Sequence, residues 1–345
     1  MKPIEENSEL LSWCREALSD DFNRQMLPLE ASNREFSRLQ RKSDGHSVIL
    51  MVSPPELENN RQFVRLSQVF ARGNIPVPQV IKSNFQKGWF LVDDLGEKYV
   101  LSFYDDANRS NTLLKAVGLI LQIQQIKDPE IEPYSRDRLS MEFDLFGDWF
   151  LAKWLGDPGQ KLYSLYQKEI RDAKDFLLNA MTNQPVSCIH RDFHCKNLLV
   201  RNDSIGIIDF QDALYGPHLY DLASLLHDCY YKHSDTDIER CLQYYLKNSD
   251  FSEGSNFITA YQNLNCTGIQ RQLKALGIFA RLSLRDRKNT HLSFIPLVLD
   301  SLIHISGKVS PIQTLQSLFI EPVSYTHPDA ADEQRGVDLG GRRII

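Results

Sequence analysis

The sequence predicts an α+β fold in two lobes, in which a small lobe with an antiparallel sheet and a helix precedes a larger, mainly helical lobe. In the first hundred residues, short β-prone runs and turn signals surround one amphipathic stretch. After Gly96, apolar residues recur at helical spacing, with three strand-like interruptions, SCIH, NLLV and IGIID. With 42% hydrophobic residues in a chain of 345, there is apolar material for more than one lobe.

The first lobe is expected to span 1–96. Apolar residues at helical spacing between Leu10 and Leu18 predict a short opening helix. The stretch LEASNREFSRLQRKSDGHSVILMVSPPE holds two β-prone runs around a Ser-Asp-Gly turn, which predicts a hairpin. A helical pattern over 59–72 follows and ends at Gly73, and IPVPQVIKSNFQKGWFLVDDLG predicts two further strands around a polar turn.

The second lobe is expected to span 97–321, with helical periodicity that resumes at Tyr220 and continues to about Leu318. The tail 322–345 has lost this periodicity and is rich in charge and glycine. We therefore expect the tail to be disordered or foreign to the functional domain.

Composition excludes several classes of protein. A formal net charge of -6 and a pI near 5.9 argue against a nucleic-acid or anionic-membrane binder. The six cysteines show no C-x-x-C pair and no zinc-like spacing, which is typical of reduced thiols. The opening residues lack the pattern of a secretory signal, and no apolar run approaches the about 18 residues of a membrane span. We expect a cytoplasmic monomer.

The stretch CIHRDFHCKNLLVRNDSIGIIDFQD carries the chemistry. Asp192 precedes Asn197 by five positions, and Asp209 follows a predicted hairpin that brings it near Asn197. Phosphoryl transfer needs an oriented nucleophile and metal ions that neutralise phosphate oxygens. Amide and carboxylate oxygens suit magnesium, and a separate carboxylate can accept a hydroxyl proton. A lone loop aspartate is more often a turn or cap residue, but here three residues fit three distinct tasks.

The pattern H-R-D-x-x-x-x-N, formed here by His190, Arg191, Asp192 and Asn197, is the catalytic-loop signature of kinase-like phosphotransferases. Together with IIDFQDALYGPHLYDLASLLHD, it resembles the aminoglycoside phosphotransferase and choline kinase-like family. The resemblance implies a bilobal protein-kinase-like fold that uses ATP and Mg²⁺. It also implies that Asp192 is the catalytic base, that Asn197 and Asp209 hold magnesium, and that His190 and Asp221 give structural support.

Further segments narrow the resemblance. EASNREFSR, EFDLFGDWFLAKWLG and GIQRQLKALGIFARLSLRDRK are similar to segments of the cell-wall-recycling N-acetylmuramate/N-acetylglucosamine anomeric sugar kinases. This similarity runs from about Leu29 to Leu302. It implies phosphorylation of the anomeric hydroxyl of a small-molecule sugar in peptidoglycan recycling.

Two departures from protein kinases concern the nucleotide. EASNREF contains no glycine, so Ser32, nearby backbone amides and Arg34 are the candidates for binding phosphate, unless this is an ordinary polar turn. The second strand reads VILMV, with Met51 or a neighbour in the place of the kinase lysine. FLVDDLG resembles the lobe-connecting segment, in which backbone groups of Asp94 and Leu95 would meet adenine.

Candidates for sugar binding lie in the helical lobe. Glu142 beside Trp149 suits a carbohydrate, because a carboxylate binds hydroxyls and an aromatic ring offers a platform. Arg271 and Arg281, on a predicted helical stretch that also carries Lys274 and Arg285, could recognise the lactyl carboxylate of N-acetylmuramate. Each has an ordinary alternative: Trp149 as core, and the arginines as a solvated helix face.

Two other functions compete. The acceptor could be an aminoglycoside or another small alcohol such as choline or homoserine, since the acidic chain would attract polycations. The chain could also be an inactive kinase-like binding module, although the presence of Asp192, Asn197 and Asp209 argues against it.

Overall fold

The computed structural model describes residues 8–28, 33–104, 108–201, 204–251 and 256–322. Contacts divide the chain into two compact units, one made of 1–105 and 197–213, the other of 106–196 and 214–345. The predicted tail 322–345 lies outside the described residues except for its first residue.

The helices and strands are, in chain order, α1 (Ser8–Leu18), β1 (Phe22–Met26), β2 (Glu35–Arg41), β3 (Ser47–Val52), α2 (Asn60–Arg72), β4 (Val80–Asn84), β5 (Trp89–Asp93), β6 (Lys98–Tyr99), α3 (Arg109–Ile123), α4 (Arg136–Leu145), a π-helix (Phe146–Trp154), α5 (Asp157–Leu165), α6 (Gln167–Thr182), β7 (Val186–Ile189), β8 (Leu198–Arg201), β9 (Ser204–Ile207), β10 (Leu214–Pro217), α7 (Tyr220–Leu226), α8 (Asp235–Asn248), α9 (Phe257–Asp286), α10 (Ile295–Ser306) and α11 (Gln316–Ile320).

The first unit is built on an antiparallel five-stranded sheet in the order β1-β2-β3-β5-β4. The predicted hairpin is the β2–β3 pair, in which Phe36 stands opposite Met51. Apolar side chains alternate along the strands, and one face of the sheet packs against α1 through Leu39, Leu50 and Trp89. The opening helix and the hairpin are therefore as the pattern predicted, whereas the edge strand β1 was not predicted.

Helix α2 begins and ends where the sequence predicted. The Asn59 side chain accepts a hydrogen bond from the Gln62 backbone N–H at 3.1 Å, and the backbone N–H of Gly73 closes the last turn. The buried face of α2 carries Phe63 and Phe70. This helix thereby offers an aromatic surface within the first unit.

Residues 197–213 belong to the first unit, whereas the sequence assigned all of 97–321 to the helical lobe. The reason is strand pairing: β6 pairs with β8, and β8 pairs with β9, in a three-stranded sheet. The catalytic-loop sequence therefore contributes Asp192 to the second unit and Asn197 to the first.

The second unit is mainly helical, as predicted, with one short antiparallel pair formed by β7 and β10. Helix α9 is 30 residues long and is buried over most of its middle turns. The π-helix packs against α9 and against α5. Because α9 is enclosed by its neighbours, its polar residues at 270–274 are buried as well.

No helix among the described residues is long and apolar enough to cross a membrane. All six cysteines are buried and free of disulfides. Burial raises the pKa of Cys14 and Cys229 to about 12, so these thiols are poor nucleophiles.

Two helical glycines give a matched test of packing at the π-helix. A Cβ at Gly159 would lie 2.0 Å from the Leu151 carbonyl oxygen, whereas a Cβ at Gly118 in α3 would meet nothing within 4 Å. We expect Gly159→Ala to lower the free energy of unfolding by about 1–3 kcal/mol through overpacking. Gly118→Ala should raise it by about 0.5–1 kcal/mol through helix propensity. Urea unfolding measures both, and equal shifts would contradict the close approach.

Candidate active site

The loop that follows β7 is held by a buried carboxylate. Asp221, on α7, accepts hydrogen bonds from the backbone N–H of His190 at 2.6 Å and of Arg191 at 2.9 Å. Burial raises the pKa of Asp221, and His190 with the two amides opposes the rise. Arg191 has φ 81°, a conformation that a non-glycine residue rarely adopts. Asp221 thus fixes the backbone of the loop at His190 and Arg191.

A second buried carboxylate holds the other end of this loop. Asp228 accepts from the Cys195 backbone N–H and from the Tyr230 backbone N–H, each at 2.8 Å. Asp228 is not among the site residues that the sequence predicts. Its position at the end of HLYDLASLLHD, seven residues after Asp221, was the available signal.

Asp192 is half-buried between these two fixed points and is surrounded by positive charge. Burial raises its pKa, but Lys274, Arg191, His194 and Arg271 outweigh this effect and hold the pKa well below its usual range. Burial also lowers the pKa of His194 to about 3, so this imidazole is neutral at pH 7. These cations therefore favour the charged carboxylate form of Asp192.

Glu142, a predicted sugar ligand, is the centre of an ion-pair network. Its Oε1 lies 2.5 Å from Nη2 of Arg191, and its Oε2 lies 3.1 Å from Nζ of Lys274. The Tyr134 hydroxyl donates to the same carboxylate. Burial raises the pKa of Glu142, but Lys274 and Arg191 outweigh it and the net shift is downward. The structure therefore places the predicted Arg271 and Lys274 within electrostatic reach of Asp192, and Glu142 is joined to this group through Lys274 and Arg191.

Trp149 and Arg281 lie elsewhere in the same unit. Trp149, in the π-helix, packs partly against the core and has Lys153 Nζ 3.7 Å from its ring centre. Arg281 lies ten residues beyond Arg271 on α9, a rise of about 15 Å. Burial and Arg285 lower its pKa. Arg281 is nevertheless within electrostatic reach of Glu142, whereas the contacts described for Trp149 are with the core and Lys153.

Asn197 and Asp209 meet in the first unit. Nδ2 of Asn197 lies 3.5 Å from Oδ2 of Asp209, and Asp209 Oδ1 accepts from Gln211 Nε2 at 2.5 Å. The backbone N–H of Ile208 donates to the Asn197 carbonyl at 3.0 Å, which ties the two segments together. Asp209 has φ 64°, a left-handed conformation that aspartate tolerates better than most residues.

Helix α2 fixes the segment after Asp209. The ring of Phe210 stacks on Phe63 with centroids 5.2 Å apart, and Gln62 Nε2 donates to the Gln211 carbonyl at 2.9 Å. The turn that presents Asp209 is therefore anchored on the aromatic surface of α2.

The Asn197–Asp209 pair fits magnesium as a partial ligand set. Among the described residues, no group of three or more His, Cys, Asp or Glu side chains could hold a metal ion. Magnesium commonly uses one or two protein carboxylates and completes its coordination with substrate phosphates and water. The carboxylate and amide oxygens of this pair match that use.

Of the two phosphate-binding candidates, Ser32 lies outside the described residues and Arg34 is buried. Nη2 of Arg34 lies 3.1 Å from Oε2 of Glu58 in an ion pair. Its Nε donates a hydrogen bond to Ser53 Oγ at 3.3 Å. Its guanidinium also lies 5.4 Å from the centre of the Phe63 ring. Met51 is buried on β3. The first unit thus pairs an arginine that directly precedes β2, and not a lysine on β3, with a glutamate that lies just before α2.

Asp94 and Leu95 follow β5, and Asp94 lines a concavity of about 360 Å³. Arg38 binds the Asp94 carboxylate at 2.6 and 3.0 Å, and Arg201 donates to the Asp94 carbonyl. Burial raises the pKa of Asp94, but Arg38 outweighs it. A Cβ at Gly206 on β9 would lie 2.7 Å from Leu95 Cδ1, so that glycine makes room for the Leu95 side chain.

A buried aspartate whose charge is maintained by cations, and an oxygen pair suited to magnesium, are parts that phosphoryl transfer needs. They place the chain among phosphotransferases. Sequence comparison gives the family: residues 26–255 match the phosphotransferase enzyme family APH, and the chain belongs to it, as the motifs predicted.

Two curated relatives carry the same name. The N-acetylmuramate/N-acetylglucosamine kinase of Neisseria meningitidis is 32% identical over 91% of this chain and 95% of the relative, and that of Pseudomonas putida is 28% identical over the same shares. Among solved structures, Plasmodium vivax ethanolamine kinase matches with a TM-score of 0.62 at 12% identity, covering 88% of this chain and 91% of that chain. This likeness confirms the predicted α+β, protein-kinase-like fold class.

We expect the cations around Asp192 to lower the pH at which this carboxyl group titrates. Because the folded-state pKa is below the unfolded value of 3.8, the carboxylate stabilises the fold fully above that pH and loses the effect only as the pH falls through the folded pKa. Lys274→Met should raise the folded pKa. A ¹³C NMR titration of the Asp192 carboxyl, assigned with Asp192→Asn, should show the variant titrating at higher pH than the wild type. Lys161→Met, on the exposed side of α5, serves as control.

If the Asp192 resonance behaves alike in the wild type and in Lys274→Met, Lys274 does not hold this carboxylate in its charged form. An equal change in Lys161→Met would point to a global loss of stability instead.

Proposed function

We propose that this protein transfers the γ-phosphoryl group of ATP to the anomeric hydroxyl of N-acetylmuramate, N-acetylglucosamine or both, with sugar 1-phosphate and ADP as products. Four relatives, 26–32% identical, carry the name of a kinase for these sugars. The observation that carries the proposal is the half-buried Asp192 carboxylate with its surrounding cations.

Asp192 is the proton acceptor in this proposal. An anomeric hydroxyl is more acidic than an ordinary alcohol, so a carboxylate of low basicity can orient it and receive its proton late in the transfer. The cations that lower the pKa of Asp192 make it a weak base. An acidic acceptor hydroxyl suits such a base better than an ordinary alcohol does.

Asn197 and Asp209 are proposed as the magnesium ligands, through one amide and one carboxylate oxygen. Magnesium, when bound with ATP, supplies neutralisation of phosphate charge. His190 and Asp221 support the loop that carries Asp192, because the Asp221 carboxylate accepts two of its backbone amides.

Nucleotide binding is proposed for 1–96 together with 197–213. Arg34, oriented by its ion pair with Glu58, supplies positive charge for phosphate in place of the strand lysine of protein kinases. Ser32 is proposed as a phosphate ligand from its place in EASNREF. Backbone groups of Asp94 and Leu95 are proposed to meet adenine, with Arg38 and Arg201 fixing that segment.

Sugar binding is proposed for the second unit. Trp149, Arg271 and Arg281 are the candidate contacts. We assign Glu142 a different task from the sugar contact that the sequence suggested. Its carboxylate already binds Arg191, Lys274 and the Tyr134 hydroxyl, so it acts as the counter-ion of the cations near Asp192.

The same cations argue against an aminoglycoside or choline as acceptor. Lys274 and Arg271 are buried, and Arg191 is half-buried, within electrostatic reach of Asp192. A cationic acceptor brought to Asp192 would meet like charges at low effective dielectric, which costs free energy. We further propose that the protein works as a cytoplasmic monomer in peptidoglycan recycling, without nucleic-acid or membrane partners.

The test is a coupled ATP-consumption assay with Mg²⁺ and a panel of N-acetylmuramate, N-acetylglucosamine, an aminoglycoside, choline and homoserine. Turnover is expected with one or both sugars, and ³¹P and ¹³C NMR should place the phosphate on C1. Activity confined to the other acceptors would overturn the proposal. A purified protein inert with every acceptor would favour the inactive binding module.

Asp192→Asn should lower kcat by about 10²–10⁴-fold, because it removes the proton acceptor and leaves the nucleotide contacts in place. Steady-state kinetics should show a much smaller change in the KM for ATP. Asp172→Asn, at an exposed ion pair of α6 with Lys168, is the control and should leave both constants unchanged. Comparable kcat values for wild type and Asp192→Asn would remove Asp192 from catalysis.

Arg34→Met should raise the KM for ATP by about tenfold or more, the equivalent of one lost charge-assisted hydrogen bond. Because Glu58 would then be left without its ion pair, the double variant Arg34→Met/Glu58→Met removes both charges and protects the fold. The double variant should melt near the wild-type temperature yet bind ATP weakly by calorimetry. Unchanged ATP affinity in it would refute the role of Arg34.

A further inference from the structure

Three cationic side chains act on Asp192 from within the second unit. Lys274 and Arg271, one helical turn apart on α9, are each only 7% exposed, and Arg191 comes from the loop itself. All three favour the charged form of Asp192. Burial of a cation is costly unless an anion or hydrogen-bond acceptor compensates it.

Two of the three are compensated by the protein. The Glu142 carboxylate binds Arg191 through one oxygen at 2.5 Å and Lys274 through the other at 3.1 Å. Lys274 Nζ also lies 3.4 Å from the Tyr220 hydroxyl. These contacts fix both side chains within the fold.

Arg271 is different. Its guanidinium makes no hydrogen bond or ion pair with any residue in the part of the chain that the structure describes, and its Nε is fully enclosed. The guanidinium carbon lies 5.2 Å from the centre of the Tyr220 ring. A guanidinium held over an aromatic ring does not use its hydrogen-bond donors in that contact. Asp192 and Asp228 favour the charged form of Arg271, but neither makes an ion pair with it among the described residues.

A carboxylate is the anion that fits such donors, because a guanidinium binds it through two parallel hydrogen bonds. The two sugars in the names of the relatives differ by one group, the lactyl ether of N-acetylmuramate, which carries a carboxylate where N-acetylglucosamine has a hydroxyl. A buried arginine near the proton acceptor is a means of telling these two sugars apart.

We propose that Arg271 binds the lactyl carboxylate of N-acetylmuramate and gives the protein its preference for this sugar over N-acetylglucosamine. The inference rests on the proposed function, since it takes both sugars as ligands of the same site. It goes beyond that function by assigning the discrimination to one side chain.

The test compares two changes that remove the same contact. Arg271→Gln removes the guanidinium, and the methyl ester of N-acetylmuramate removes the ligand charge. Calorimetry should show that either change weakens binding of the sugar by about 10–100-fold, as expected for a charge-assisted pair. Their combination should weaken it little further, because both act on one interaction. Binding of N-acetylglucosamine to Arg271→Gln should stay within about threefold of the wild type.

Two further variants on the same helix serve as controls. Arg271→Lys keeps the charge but loses the planar fork, so it should fall between wild type and Arg271→Gln with N-acetylmuramate. Arg285→Gln removes an exposed arginine that pairs with Asp286 and should leave both affinities unchanged. The ester experiment on the wild type needs no variant and stays informative if Arg271→Gln folds poorly.

Equal weakening of both sugars in Arg271→Gln, or wild-type affinity for the methyl ester, would overturn the inference. The proposed function fails separately, through turnover. Arg271-dependent binding of N-acetylmuramate without phosphorylation would keep the inference and reject the kinase activity. Phosphorylation of both sugars without dependence on Arg271 would do the reverse.

Discussion

The Asp221 carboxylate, which accepts hydrogen bonds from two successive backbone amides, sets the geometry on which the catalytic loop depends. Arg191 sits at φ 81°, a conformation that costs of the order of 1–3 kcal/mol for a non-glycine residue. Each hydrogen bond to a charged acceptor contributes about 1.5–3 kcal/mol. The pair of bonds therefore outweighs the strain, and the backbone turns so that Arg191 and Asp192 are presented in a fixed order.

The two hydrogen bonds that Asp221 accepts also have an electrostatic consequence. With its backbone fixed, Arg191 reaches Glu142, and Glu142 in turn binds Lys274 of α9. Two of the cations that favour the charged form of Asp192, Arg191 and Lys274, are thus held in place by a carboxylate of their own. In the proposed reaction, cations in fixed positions keep Asp192 charged and able to receive the hydroxyl proton.

Local patterns in the sequence predicted much of the fold, and the rest depended on long-range contacts. Alternating apolar residues, helix caps and turn residues in the sequence predict the β2–β3 hairpin, α2 and the strands around Asn197. Such signals are missing for strand β1, because FNRQM has no buried residue and becomes a strand only by pairing with β2. Likewise, the joining of 197–213 to the first unit follows from pairing of β8 with β6, which lie about a hundred residues apart.

The residues of the candidate site also fall into those that the sequence predicted and those that depend on long-range contacts. Asp192, Asn197 and Asp209 lie in one continuous motif, and their residue types alone indicated phosphoryl transfer. Lys274 was a candidate only as one of several cations on a helical stretch, and its contacts with Glu142 and Tyr220 could not be predicted, because they depend on the packing of α4, α7 and α9. Asp228 was visible in the sequence, but nothing local indicated that it would accept the Cys195 amide.

The net charge of the chain does not predict the charge of the acceptor, because the groups nearest to the site differ from the chain as a whole. A chain with a formal charge of -6 attracts cations over distances of about a Debye length, and this made a polycationic antibiotic a reasonable acceptor. At contact distance, buried groups dominate, since they interact at lower effective dielectric and are screened less by salt. Around Asp192 those groups include Lys274 and Arg271, which are buried on α9 and positively charged. The net charge of the whole chain therefore does not indicate the charge of the acceptor, because the buried groups nearest to Asp192 include cations that an acceptor with a carboxylate could use and a polyamine could not.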